Sequence, residues 1–505
     1  MPNLKALAKD TAIYGLSSII GRFLNYLLVP LYTNYMPKDS GDYGVSTNVY
    51  AYTALILVLL TFGMETTLFR FANDANAQSA GKGATLDFAQ TKGGGSAWPD
   101  TVFSTAFTAV AALTALFLLL VFGFITPISE AIGYAAHPEY LQIMAMVVAL
   151  DALQALPFCY LRFQKRALRF AALKLLFILP NIGLNLVFFV LLGKTSVLYV
   201  FLINLACTLF ITLLFVPDML RIHYHFDRVL LGRMVRYSWP ILILGIAGIL
   251  NQVADKIVFP LVYPDAAGAN VQLGIYGSCV KVAMIMALIT QAFRFAYEPI
   301  VFAKNKDADK AEYYASAMKY FLLFTLLAFL CVVGWMPLLQ YLIGADYREG
   351  LGVVPIVMVA EMMMGVYFNL SFWYKLIDKT IYGAWFSLAG CAVLLAVNVL
   401  FIPRYGYWAC AWGGVAGYGT SMVLSYVVGQ RQNPIPYPMR DMAIYVAVTA
   451  LLFLAMQMVP AGWPTVARLA ANTLLIGVLL AVIIRRDLPL GSLPVIGKYF
   501  QKQNQ

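Results

Sequence analysis

Five basic side chains, Arg22, Lys174, Lys256, Lys281 and Arg294, lie inside long apolar runs where hydrocarbon rather than water is the expected solvent. A cation facing lipid at mid-depth costs roughly 3 kcal/mol or more, so it persists only against water, an opposite charge or an anionic ligand. Lys174 stands near the inner end of its run and can snorkel, which leaves Arg22, Lys256, Lys281 and Arg294 in need of partners. The chemistry they suit is binding of an anionic ligand in a cationic, water-filled cavity. Their neighbours are arranged to help. Ser18, Arg22 and Asn25 share one helical face, while Gly248, Asn251, Gln252, Asp255 and Lys256 make a comparable polar stripe. Lys281 falls in the outer half of its run and Arg294 in the inner half, with Gln291 and Glu298 near the face of Arg294. Buried acids offer counter-charges or a coupling-ion site: Glu65, Asp151, Asp255, Glu298 and Glu361, with Arg294 and Glu298 paired at i, i+4.

Other chemistries lack their residues. The cysteines (Cys159, Cys207, Cys279, Cys331, Cys391 and Cys410) all fall in apolar segments without Cys-x-x-Cys spacing, which reads as small core residues. His223 and His225 alternate in a basic loop and His137 stands elsewhere, so no metal site is expected. No Gly-x-x-x-x-Gly-Lys run occurs, which argues against ATP hydrolysis. No catalytic residue and no cofactor are expected, and the protein reads as a non-enzyme.

The elements that must position these charges are membrane helices. Of the 505 residues, 61% are hydrophobic and 12% charged, against about 25% charged in soluble chains. The mean hydropathy of +0.77 demands a nonpolar solvent outside the protein as well as within it. The net charge of +11 would suit nucleic acid, but the basic residues lie in short clusters between apolar runs, where they set membrane orientation instead. Apolar segments fall near 11–34, 45–69, 101–126, 139–161, 171–192, 196–217, 238–262, 273–301, 320–341, 351–374, 381–402, 406–428, 441–459 and 465–484. This pattern predicts an all-α polytopic membrane protein with about fourteen transmembrane helices. Placing both termini in the cytoplasm puts 25 Lys and Arg inside and five outside, an asymmetry that a missed helix would scramble. The N-terminus carries no small-residue cleavage signature, so its first helix is expected to remain.

A shift of 230 residues lays GLSSIIGRFLNYLLVPLY (15–32) over GIAGILNQVADKIVFPLV (245–262), each followed by a Tyr-Gly pair, Tyr43-Gly44 and Tyr276-Gly277. The expected organisation is two six-helix lobes related by pseudo-twofold symmetry, residues 1–218 and 219–430, followed by helices 13 and 14 and a tail at 431–505. Residues 74–100, rich in Gly, Ala and Ser, read as a mobile cytoplasmic loop within the first lobe.

Four stretches carry a family resemblance: GRFLNYLLVPLYTNYMPKDSGDYG (21–44), GMETTLFRFAN (63–73), NQVADKIVFPLVY (251–263) and LGIYGSCVKVAMIMALITQAFRFAYEPIVFAK (273–304). Together they resemble the polysaccharide transporters of the multidrug, oligosaccharidyl-lipid and polysaccharide exporter superfamily, which include O-antigen and capsule-unit flippases. The resemblance implies alternating-access flipping of polyprenyl-diphosphate-linked oligosaccharide across the bacterial cytoplasmic membrane, in O-antigen, capsule or exopolysaccharide synthesis. It implies a central cavity in which basic residues receive the diphosphate. Arg22 matches the family's first-helix arginine, and Asp255-Lys256 its seventh-helix acidic-basic pair, more often Asp-Arg; lysine substitutes a point charge for a bidentate fork. Expected partners are the lipid-linked substrate, membrane lipids, Na⁺ or H⁺ as the coupling ion, and other polysaccharide-assembly proteins. The alternatives are a multidrug or other cation-coupled exporter of the same superfamily, whose cavity acids should dominate, and a membrane-embedded glycosyltransferase or polymerase, which generally needs a sizeable aqueous loop.

Overall fold

The computed structural model describes residues 26, 28–79, 98–222, 224–304, 310–377, 379–460 and 462–487. Among these residues every regular element is helical. In chain order they are α1 (Leu28–Tyr35), α2 (Asp42–Thr61), α3 (Met64–Ser79), α4 (Trp98–Gly123), α5 (Ile125–Ala131), α6 (Pro138–Phe163), α7 (Ala167–Leu186), α8 (Val197–Met219) and α9 (Arg228–Val262). There follow α10 (Ala266–Ala283), α11 (Ile285–Lys304), α12 (Lys310–Gly334), α13 (Met336–Leu339), α14 (Val354–Leu370), α15 (Phe372–Leu376), α16 (Ile381–Tyr405), α17 (Tyr407–Gln432), α18 (Met439–Gln457) and α19 (Thr465–Asp487). Eleven stretches are long and apolar enough to cross a bilayer, or twelve if α10 and α11, bent by 42° at Met284, make one crossing. The expected count of fourteen is not reached among the described residues. The first expected segment falls mostly outside them, and that at 406–428 forms α17, whose Gly, Ser, Thr and Tyr residues dilute its apolarity.

Two compact units divide the chain, one running up to Gly277 and taking in Cys391–Gly413, the other holding Ser278–Gly390 and everything from Gly414. Lipid tails are as apolar as leucine, so close packing and interhelical hydrogen bonds must hold such units together. In the first unit, Leu60, Met64, Phe103, Val148, Leu156 and Met234 build a buried cluster from α2, α3, α4, α6 and α9. Asp227 starts α9 by accepting from the N–H groups of Val229 and Leu230 at 2.8 and 2.9 Å. Between α2 and α3 the helix is interrupted within one span, because Phe62 (φ 51°) and Gly63 (φ 67°) are both left-handed. A hydroxyl bridge from Thr67 to Ser238, 2.7 Å, ties the far side of that break to α9. The two Tyr-Gly pairs meet at one crossing. A Cβ on Gly44 would stand 1.7 Å from the carbonyl oxygen of Asn270, and one on Gly277 2.6 Å from Oγ1 of Thr47.

In the second unit α12 packs against α14, α18 and α19. Lys319 pairs with Asp441 at 3.2 Å and with Asp487, Arg486 pairs with Asp441 at 3.1 Å, and Asn472 donates to the carbonyl of Gly334 at 2.7 Å. α19 is therefore fastened to α12 towards both of its ends, and α18 at its start. The loop expected at 74–100 is helical at both margins, since α3 runs to Ser79 and α4 begins at Trp98; residues 80–97 lie outside the described ones.

Candidate functional site

Arg22 and Asn25 of the expected diphosphate site lie outside the described residues, as does the side chain of Glu298 with its expected pairing to Arg294. The other expected residues fall into separate groups in the two units.

In the first unit, α9 brings Asp255 and Lys256 together although neighbouring residues on a helix normally diverge. The Lys256 ammonium turns back to donate to both carboxylate oxygens of Asp255, at 2.9 and 3.0 Å, and to the carbonyl of Gln252 at 3.0 Å. The Tyr276 hydroxyl donates to the same carboxylate at 2.8 Å. These side chains are 10% exposed for Asp255 and 19% for Lys256, so the pair is sheltered and strong. The helix backbone beneath it is held too. Asn48 donates to the carbonyl of Lys256 at 2.7 Å and accepts from Tyr134 at 2.8 Å. Burial pushes the Tyr134 phenol above its ordinary range, which keeps it a neutral donor. Asn251 is buried and turned to the carbonyl of Ala247 at 2.9 Å, whereas Gln252 is exposed.

In the second unit Arg294, on α11, is exposed, and its guanidinium carbon lies 4.9 Å from the centre of the Phe368 ring. Thr290, Tyr297, Asn369 and Lys375 complete a small cavity of about 10 Å³ beside it, room for one water. The buried hydroxyl of Thr290 has no hydrogen-bond partner among the described residues. Lys281 and Glu361 are half-buried, Lys281 standing just before the bend that separates it from Arg294.

The remaining acids belong to the first unit. Glu65 reaches Arg162 at 3.5 Å, and Asp151 is half-buried on α6. Lys174 does not snorkel free as its position suggested. Its side chain is half-buried and its ammonium sits 4.0 Å from the centre of the Phe158 ring, an aromatic face that receives the charge within the unit.

Sequence reasoning missed Tyr276, Asn48, Tyr134, Thr290 and Phe368. Tyr276 carried a signal as half of a repeated Tyr-Gly pair, but its hydrogen bond to Asp255 depends on how α9 and α10 pack. Lys375, on α15, was missed as well, although it lines the cavity beside Arg294.

The polysaccharide biosynthesis protein family model matches residues 7–302, more than half of the chain. The chain belongs to the polysaccharide biosynthesis protein family. No curated protein matches it by sequence. Among solved structures, this family member is similar to the lipid II flippase MurJ in an inward closed conformation, with a TM-score of 0.69 and 13% identity over 93% of this chain and 98% of that one. An inward-facing multidrug-resistance MATE transporter of the MOP superfamily matches with a TM-score of 0.65 and 13% identity, over 81% of this chain and 94% of its own. An outward-facing MATE transporter matches with a TM-score of 0.56 and 14% identity, over 84% and 95% of the two chains. The fold is thus one that flippases and exporters share, and these neighbours are transporters rather than enzymes.

Proposed function

We propose that the protein is a flippase that carries polyprenyl-diphosphate-linked oligosaccharide across the bacterial cytoplasmic membrane by alternating access, with both termini in the cytoplasm, for O-antigen, capsule or exopolysaccharide assembly. The observation that carries this reading is Arg294. It exposes its surface seven residues inside the end of the apolar run expected at 273–301. That is about 10 Å at helical rise, a depth where facing lipid is costly. An exposed arginine at that depth, beside a Thr290 hydroxyl that has no partner among the described residues, suits an aqueous cavity that admits an anion. Arg22, Asn25, Lys256, Lys281 and Arg294 receive the diphosphate in this account, and the polyprenyl tail stays in lipid. Asp255 is the counter-charge that holds Lys256 until the headgroup competes for it, and Glu65, Asp151, Glu298 and Glu361 balance the remaining cations or bind the coupling ion, Na⁺ or H⁺. Neither a multidrug exporter nor a glycosyltransferase draws comparable support from this many intramembrane cations.

The test is growth complementation in bacteria lacking a lipid-linked-oligosaccharide flippase. Wild-type protein and Arg294→Lys should restore surface polysaccharide, and Arg294→Ala expressed at the same level should not. Full complementation by Arg294→Ala would remove Arg294 from the site.

A further inference from the structure

We propose that the first unit carries a second ligand site, for a phosphoethanolamine group borne by a phospholipid of the surrounding leaflet. The site is a cavity of about 400 Å³ at the end of the unit where α4 begins and α6 and α8 finish, within the usual size of small-molecule sites. These are ends of apolar spans, the level at which headgroups lie. The proposal needs only that the helices span a bilayer and is independent of what the protein transports.

The lining has two characters. Phe103, Leu161, Phe215 and Met219 give an apolar floor. The rim holds two guanidinium groups, Arg166 and Arg221, and two carboxylates, Asp100 and Asp218. One oxygen of Asp100 accepts from the Tyr160 hydroxyl, which leaves the other as an acceptor. Asp218 is flanked by Arg166 at 3.9 Å and by Arg169. Arg221 makes no ion pair among the described residues and is exposed. Asp218 is already answered by arginine, so Arg221 is the donor left for a phosphate and Asp100 the acceptor left for a cation. A zwitterion satisfies both: its phosphate takes Arg221 as a charge-assisted donor, and its ammonium donates to the second oxygen of Asp100. A primary ammonium carries three N–H donors, whereas a quaternary choline carries none. The acidic half of the rim therefore favours ethanolamine over choline headgroups, and over glycerol ones that bring no positive charge.

The rim is also built before any ligand arrives. His225 is locked to Ser104, donating to its hydroxyl at 3.2 Å and accepting from it at 2.7 Å, and the N–H of Asp227 donates to Thr105 at 3.2 Å. This pins the loop that follows α8 against α4. On the opposite lip Lys165 is left-handed, φ 58°, a conformation costly for a residue with a Cβ. It closes α6 through hydrogen bonds from Lys165 to Arg162 at 3.1 Å and from Arg166 to Leu161 at 2.9 Å, and so turns Arg166 over the cavity. Strain of this kind gathers where a side chain must be aimed.

The test is native mass spectrometry of the full-length protein released from vesicles of equal parts phosphatidylethanolamine, phosphatidylcholine and phosphatidylglycerol. Wild-type protein should retain phosphatidylethanolamine preferentially. Arg221→Gln, which removes an exposed charge, and Asp100→Asn should each weaken that retention by about tenfold, with thermal melting confirming that each variant is folded. Equal retention of the three lipids by wild-type protein would overturn the proposal, and so would preference for phosphatidylglycerol. Undiminished phosphatidylethanolamine retention in both folded variants would do the same. A second arm adds free O-phosphoethanolamine. Binding of the free compound without retention of the lipid would assign the cavity to a soluble ligand and overturn the lipid source.

Discussion

Replacing Asp255 by Asn keeps its shape and removes its charge. In the folded protein the Lys256 ammonium would lose a carboxylate that it meets at 2.9 and 3.0 Å, and Tyr276 would keep an amide oxygen in place of a carboxylate oxygen. With 10% and 19% exposure, solvent screens this pair little. A charge-assisted hydrogen bond contributes about 1.5–3 kcal/mol net. Because the carbonyl of Gln252 still accepts from Lys256 at 3.0 Å, the expected loss is about 2 kcal/mol, within that range. Lys256→Gln should cost a similar amount by leaving the carboxylate uncompensated. Neutralising both removes the pair without stranding either charge, so the double variant should lose less than either single change. The coupling then lies near the top of the usual range of about 0.5–3 kcal/mol. Unfolding in detergent of the wild type and the three variants measures it. The second consequence is functional: with its internal competitor gone, Lys256 should bind a lipid-linked diphosphate about tenfold more tightly, a change of about 1.4 kcal/mol, while turnover falls. Additive losses within about 0.5 kcal/mol, the size of ordinary surface changes, together with unchanged affinity, would refute both halves of the reasoning.

Gly44→Ala should abolish the yield of monodisperse protein in size-exclusion chromatography, because its Cβ would overlap the Asn270 carbonyl at 1.7 Å and backbone cannot rotate aside. Gly277→Ala should be milder, since it meets the movable side chain of Thr47; equal yields for wild type and Gly44→Ala would refute the close crossing. Lys165→Gly should raise thermal stability by up to about 1 kcal/mol through relief of its left-handed strain, and a lower stability would contradict that assignment. Cysteines at Ala267 and Glu130, both exposed, should react with impermeant reagent from outside the cell, and one at Ser79 only after permeabilisation. Glu130 is the better probe than its neighbour Ser129, which is 2% exposed.

Helical membrane architecture was legible because a bilayer enforces it: apolar runs near twenty residues have few other destinations, and most reappear as helices. Boundaries and interruptions were not. The break at Phe62-Gly63 and the bend at Met284 carry no proline, and glycine alone in an apolar run does not announce a left-handed turn. The charges of the candidate site were legible for the same reason as the helices, since a cation in hydrocarbon is conspicuous. Their partners were not, because hydrogen bonds such as Asn48 to Lys256 join residues far apart in the chain. Lys174 shows the limit of depth as a guide. Distance from the helix end suggested escape to water, while the ammonium lies over the Phe158 ring.

The central claim is that intramembrane cations carry a diphosphate headgroup, and the most direct measurement is translocation in proteoliposomes loaded with matched polyprenyl-diphosphate and polyprenyl-monophosphate oligosaccharides. Wild-type protein should move the diphosphate form faster, Arg294→Ala should lose this preference, and Arg294→Lys should keep part of it. Equal rates for the two headgroups, or an undiminished diphosphate preference in a folded Arg294→Ala protein, would contradict it.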